Sequence, residues 1–566
     1  MKVFENQTNF QSLSSKVIDL IFISLIFFCL FFALLGVRPL FVPDEGRYAE
    51  IIREMVVSGN YITPYLNGIK YFEKPNLFYW LGSLAVHLNG LSIWSIRSVN
   101  ALFALVGCLL TYWIARRCYN RATGLLAAFI LGTSSLYFVM AHMISLDLTV
   151  SVLIAASLDA FLLAYLESPI AKRQGYLTLS AASAGLAVLT KGLIGIVFPT
   201  LIIGLWLIVI YKWQVVKRLW QSTPYLPSCI LVFLLITAPW HFLVQWHNPE
   251  FFNFYFIEQH FLRYTTLSVG HYQPVWYFIP ILIIGFFPWI VFLPQTILSY
   301  ISSWRMRILN PTEIFFILWV ICIFLFFSFS KSKLIPYILP LFPPLAILTA
   351  RYLLHYSQQR IGINIGYIVL IFFSIIITGL FYWYSHTAIL PNARLANIYL
   401  SFAGITLIIG SCLATRFALR LRYLLSFSIT IMTMSIFLLV TLAAIPFIDT
   451  RSIQSLADTL KPLLKTKDEV ITYNQYFQDL PFYLERQVSI LNWRNELSFG
   501  MQYQNTKSWM IENVDFWQRW HSTKRVFVLM SLVEYKRFII YYPRIHPYII
   551  GKTVANILIS NKKDSI

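Results

Sequence analysis

Just after an apolar run of membrane-spanning length, the chain reads FVPDEGRYAEI, which brings Asp44, Glu45, Arg47 and Glu50 close together. Further charged groups follow in separate segments: Lys70, Glu73 and Lys74 in KYFEKPNLFYW, Asp147 in AHMISLDLTV, and Lys191 in TKG. Glu258, His260 and Arg263 come in IEQHFLRY, and Lys331, Lys333 and Tyr337 in SKSKLIPYILP. Lysines and arginines that converge suit the phosphate of a lipid-linked substrate, because they donate charge-assisted hydrogen bonds to its oxygens. Carboxylates beside them suit proton abstraction, a metal ion or a cationic sugar. Each residue taken singly also fits a blander role, since charges at helix ends reach interfacial water. The mixture asks for another reason. Acidic residues contribute little to membrane orientation, and basic residues on the outer side oppose the positive-inside bias.

The elements that must position these groups are set by composition. Of 566 residues, 58% are hydrophobic and 12% charged, and long solid apolar runs recur rather than the short alternating segments of a spanning barrel. The reading is a polytopic α-helical membrane protein with about 13 transmembrane helices between residues 17 and 446. The first run, from Val17 to Gly36, lacks a small-residue cleavage site and reads as a retained helix. Basic residues concentrate in alternate links, among them Arg116, Arg117, Arg121, Lys212, Lys217, Arg218, Arg416, Arg420 and Arg422. The positive-inside rule then places the N-terminus in the cytoplasm and the tail outside. The formal charge of +20 needs no nucleic acid, since anionic lipids are the ordinary partners of such links. Six scattered cysteines show neither metal-site spacing nor the density of a disulfide scaffold. No Walker loop or GxGxxG segment opens a helix, which fits the absence of a nucleotide cofactor.

Two domains are expected. Residues 1–448 form the membrane domain, with outer loops at 37–96 and 247–273, and residues 449–566 form a small C-terminal α/β domain. In that domain KTKDEVITYNQYFQDLPFYLERQVSIL alternates strand, helix and strand patterns, and Arg525 to Ser531 reads as a buried strand. In the first outer loop, 44–57 reads as a surface helix started by Pro43 or Asp44. Tyr48, Ile51, Ile52, Met55 and Val56 recur there at helical spacing and predict one face in lipid.

The ordered set PDEGRYAEI, FEKPNLFYW, SLD, LTKG, EQHFLRY and SKLIPYILP resembles the 4-amino-4-deoxy-L-arabinose lipid A transferases, which belong to the GT-C superfamily beside the protein O-mannosyltransferases. The resemblance covers the membrane portion and is vaguer over the last hundred residues or so. It implies that Asp44 is the catalytic acidic residue and Glu45 its partner, with Asp147 and Lys191 as further charged residues of the site. It implies that Lys74, Arg263, Tyr337 and Arg47 face the phosphate of the polyprenyl carrier. Glu73 and His260 match a pair that holds a divalent metal, zinc in the family; from the residues alone a structural histidine is the commoner case. Where the family usually has Ala, this chain has Gly46, which weakens the helix by up to about 1 kcal/mol.

The donor so implied is a sugar on undecaprenyl phosphate, and the acceptor is a phosphate of lipid A on the periplasmic face of the bacterial inner membrane. Such a modification of lipopolysaccharide favours resistance to cationic antimicrobial peptides. Membrane lipids are the remaining partners. An ionised phosphate acceptor needs no general base, so Asp44, Glu45 and Asp147 are expected to bind the amino group of the sugar or to orient nearby cations. Sugar identity is not written in these motifs. A protein O-glycosyltransferase, a transferase of another hexose or hexosamine, and a lipid-sugar transporter stay open. The last is disfavoured because the charges lie at outer helix ends and no second copy of the motifs is visible.

Overall fold

The computed structural model describes residues 2–214, 225–262, 272–355 and 360–563. Among these residues ten helices are long and apolar enough to cross a membrane, and two bent helix pairs raise the number to twelve. The pairs are Arg121–Gly132 with Ser135–Ala141, bent by 67°, and Val275–Gly285 with Trp289–Arg305, bent by 109°. The thirteenth expected run, near 176–190, is the helix Ile170–Lys191. It is helical as expected, but Lys172, Arg173 and Gln174 near its start make it less apolar than the spans that qualify.

The chain divides into two compact units. The first comprises Met1–Leu35, Arg97–Leu380 and Ser401–Val440. Helices apolar on every side must be surrounded by protein or lipid. Leu146–Leu166 and Ile335–Leu354 take the first course, with 83% of their most apolar stretch buried. Leu226–His247 buries only 17% and turns Phe242, Leu243 and Trp246 outward. Ion pairs fasten the helix ends. Asp19 meets Arg116 and Arg121, each at 2.6 Å, and accepts from the Tyr112 hydroxyl at 2.7 Å. Glu313 holds Arg351 at 2.7 Å and also closes a capping box with Asn310.

The second unit comprises Gly36–Ile96, Phe381–Leu400 and Thr441–Ile566, so the first outer loop folds with the C-terminal region. The expected surface helix is present as Asp44–Ser58, with Asp44 and Glu45 in its first turn and Gly59 ending it at φ 67°. Its apolar face is not in lipid. Ile51, Ile52 and Met55 are buried against the helices Leu77–Asn89 and Leu480–Leu484. Gly46 makes the close approach possible, because a Cβ there would stand 2.6 Å from the backbone nitrogen of Asp479.

The helix is followed by a tight hairpin, β1 (Tyr65–Leu66) and β2 (Ile69–Lys70), turned at Asn67 and Gly68 with φ of 52° and 75°. The buried Asn67 amide accepts from the Val488 nitrogen at 3.0 Å and donates to the Val488 carbonyl at 2.9 Å. This pairing fixes the hairpin to the C-terminal sheet. That sheet contains β3 (Glu469–Tyr473), β4 (Ser489–Leu491), β5 (Met510–Ile511), β6 (Val526–Ser531), β7 (Tyr548–Lys552) and β8 (Asn556–Ser560), in the order β5-β4-β3-β6-β8-β7. The first four neighbours run parallel, and β8 pairs antiparallel with β6 and β7. The central strands are almost continuously buried, as parallel strands covered on both faces require. Val528 and Ile559 pack there with Phe516, Trp520 and Phe538.

Candidate active site

In the second unit the candidate residues cluster around the first turn of Asp44–Ser58. Glu45 is fully buried, accepts two hydrogen bonds from Arg38 at 2.5 and 3.0 Å, and accepts another from the Phe41 nitrogen at 2.8 Å. These contacts hold the turn that presents Asp44. Asp44 itself is half exposed and takes Arg47 at 3.2 Å. Arg47 also reaches Glu496 at 2.6 Å and lies over the ring of Tyr48. Burial pushes the Glu496 carboxyl above its usual range, while Arg47 and Gln478 pull the other way.

Around this pair, Arg47 Nε and the hydroxyls of Tyr71 and Tyr79 are buried with no hydrogen-bond partner among the described residues. Burial raises both phenols far above their ordinary range, so they remain donors. Glu73 acts electrostatically on Arg47 and on both tyrosines. It is partly buried, as is Lys74 beside it in the chain. One helical turn further, Glu50 and Arg53 form a bidentate pair at 2.7 Å, and Glu54 accepts the Gly68 nitrogen at 3.0 Å. Burial raises both carboxyls. These contacts tie the helix to the hairpin that leads into Glu73 and Lys74.

The first unit gathers a second set. Asp147 opens the helix Leu146–Leu166, where Ser145 accepts its backbone N–H at 3.1 Å and donates to its carboxylate at 3.0 Å. Lys191, the last residue of Ile170–Lys191, donates to Asp147 in a short ion pair. Its ammonium also stands 4.5 Å from the centroid of the Tyr337 ring. Lys191 thus touches both Asp147 and the Tyr337 ring, a chain of carboxylate, ammonium and phenol. Lys333 is buried with its ammonium on the carbonyls of Gln273, at 2.7 Å, and Ser330.

Of the remaining expected residues, Arg263 lies outside the described residues. His260 is on the π-type helix Asn253–Leu262, a wide-turned form often found at functional sites, and only its backbone is described. Among the described residues no group of three or more His, Cys, Asp or Glu side chains converges to hold a metal ion. Sequence reasoning missed Arg38, Glu496, Tyr71 and Tyr79. Glu496 had no local signal, whereas the two tyrosines flank the charged EKP segment.

Comparison with known proteins finds likeness in both sequence and fold. The profile of the dolichyl-phosphate-mannose-protein mannosyltransferases matches residues 16–255, and that of the aminoarabinose transferase C-terminal domain matches 456–561. The undecaprenyl phosphate-alpha-4-amino-4-deoxy-L-arabinose arabinosyl transferase of Erwinia tasmaniensis is 35% identical over 332 residues, covering 57% of this chain and 58% of that protein. The protein of the same name from Aeromonas hydrophila is 34% identical over 326 residues, again covering 57% and 58%. The chain therefore spans somewhat over half the length of the curated relatives it matches. The crystal structure of ArnT from Cupriavidus metallidurans bound to undecaprenyl phosphate superposes with a TM-score of 0.82 at 28% identity, covering 96% of this chain and 98% of that one. The archaeal oligosaccharyltransferase AglB from Archaeoglobus fulgidus, at 11% identity, TM-score 0.51 and 95% and 74% coverage, shares the fold alone. The chain is a multi-pass inner-membrane protein similar in sequence and in fold to the aminoarabinose transferases.

Proposed function

We propose that this chain transfers 4-amino-4-deoxy-L-arabinose from undecaprenyl phosphate to a phosphate of lipid A. The observation that carries the reading is the likeness along 96% of the chain to the Cupriavidus structure bound to undecaprenyl phosphate. An oxygen of the acceptor phosphate attacks the anomeric carbon, and the bond from that carbon to the carrier phosphate breaks with its electrons leaving on the phosphate. The attacking oxygen is already ionised, so no proton is removed. The main task is to stabilise the departing phosphate, which falls to Lys74, Arg263 and the hydroxyl of Tyr337. Lys191 is neutralised by Asp147, and it acts through Tyr337 by fixing the ring. Asp44 offers its exposed carboxylate to the cationic amino group. Glu45 positions that turn, while Arg47, Tyr71 and Tyr79 direct unspent donors to the sugar and its phosphate.

The distribution of basic residues supports a cytoplasmic N-terminus, with the site and the C-terminal region periplasmic. Glu73 and His260 are the pair that would hold a divalent ion, zinc by resemblance. Such an ion would supply a Lewis acid, and no step above is routed through it. Activity lost on chelation and restored by zinc supports that pair; activity unaffected by chelation removes it. A second acceptor class, a protein hydroxyl, is favoured by the mannosyltransferase profile over 16–255 and would require a base.

The test is a reconstituted assay with purified donor and lipid A, using amino and neutral sugar donors. Wild-type protein is expected to transfer the amino sugar. Asp44→Asn is expected to spare the neutral sugar and to lose the amino sugar, and equal loss of both contradicts the role given to Asp44.

A further inference from the structure

Within the second unit, the N-terminal ends of β3 and β4 open onto a polar cleft of about 540 Å³. Its walls carry four cations, Lys467, Arg486, Arg519 and Lys524, and two carboxylates, Asp468 and Glu469. Both carboxylates are spent within the wall. Asp468 accepts the Lys465 backbone N–H at 2.9 Å, while Glu469 pairs with Arg519 and accepts from the Ser489 hydroxyl at 2.6 Å. Arg486 is oriented by the Asp468 carbonyl at 2.9 Å, and Lys467 and Lys524 are exposed. The cleft therefore keeps an excess of positive charge that its own acids do not cancel.

The uncharged groups narrow the ligand further. Trp509 contributes its ring to the lining. Gln518 adds an amide that both donates and accepts. One wall is built on the hairpin that leads into Glu73 and Lys74. Gln487 donates to the Asn67 carbonyl at 3.0 Å, and the Trp509 ring lies 3.7 Å from where a Cβ on Gly68 would be. An apolar ligand has little to gain from such a lining. Phosphate suits the cations, and a polyhydroxylated ring suits the indole face and the amide.

We propose that this cleft binds a phosphorylated saccharide, namely the phosphorylated sugar part of the acceptor glycolipid. The identification with the acceptor rests on the transferase reading above, whereas the binding chemistry does not.

Two measurements separate these parts. In the first, an acyl-free glucosamine disaccharide bisphosphate is titrated calorimetrically into the full chain in detergent. The Lys467→Glu/Lys524→Glu double variant, altered only at exposed positions, is expected to bind about tenfold more weakly, as the loss of two surface charge contacts implies. Equal affinity of wild type and double variant overturns the proposal, as does equal competition by inorganic phosphate, which would mark a simple anion site. In the second, transfer to lipid A is expected to show a raised acceptor KM in the double variant, with kcat and donor KM unchanged. Binding by the wild type without transfer sinks the transferase reading and leaves the cleft standing. Transfer with an unchanged acceptor KM sinks the assignment of the cleft to the acceptor and leaves the transferase reading standing.

Discussion

Gly46 lies directly under the backbone of Asp479: a Cβ added to it would stand 2.6 Å from the Asp479 nitrogen and 2.9 Å from its Cα. Backbone cannot retreat as a flexible side chain does, so this contact locks the first outer helix to the C-terminal region. Replacing Gly by Ala in a helix normally gains up to about 1 kcal/mol, while overpacking costs about 1–3 kcal/mol. Gly46→Ala is therefore expected to lower the thermal midpoint despite its better helix propensity. A raised midpoint in detergent would show that the segment moves aside freely.

Asp479 adds a pH dependence. Burial pushes its carboxyl up to about 8 from an ordinary 3.8, and both oxygens lack hydrogen-bond partners among the described residues. Below pH 3.8 both folded and unfolded chains hold the proton. Above it the unfolded chain ionises first, so stability falls with rising pH until the folded carboxyl also titrates near 8. Asp479→Asn is expected to match wild type near pH 4 and to melt several degrees higher at pH 8, a difference of a few kcal/mol at most. Parallel melting profiles across that window would contradict the assignment.

Arg38 and Glu45 form a buried ion pair, and removal of one partner strands the other charge. Arg38→Met and Glu45→Gln are each expected to cost about 3–5 kcal/mol, with the double variant costing less than the sum. Additive losses in a thermodynamic cycle would show that the two do not act as a unit.

Lys191 rests between Asp147 and the Tyr337 ring, which makes its effect indirect. Tyr337→Phe is expected to lower kcat about tenfold through loss of one neutral hydrogen bond, and Lys191→Ala by no more than about tenfold through the loosened ring. If Lys191 acts through Tyr337, the double variant is no slower than Tyr337→Phe alone. Multiplying losses would put the ammonium on the phosphate directly.

The strand Val526–Ser531 and the helix starting at Asp44 were legible because each is a local pattern, an apolar run and an acidic first turn. The burial of Ile51 and Ile52 was not, since an apolar stripe has the same appearance whether it meets lipid or protein. The bends near residues 133 and 287 were likewise hidden inside continuous apolar runs. Adjacent carboxylates at 44 and 45 gave no sign that one is half exposed and the other buried on Arg38. That division depends on which side of one helical turn faces the core. The Arg47–Glu496 contact joins remote parts of the chain, and neither residue's neighbours announce it. The close packing of Gly46 on Asp479 gives a physical reason for a glycine inside this helix.

Mass spectrometry of lipid A from cells that carry the donor lipid and either this protein, its Asp44→Ala variant or neither decides whether the chain transfers the amino sugar. A phosphate-linked pentosamine is expected to appear only with the wild-type chain. Unchanged lipid A in all three, with the donor lipid shown to be present, would contradict that expectation.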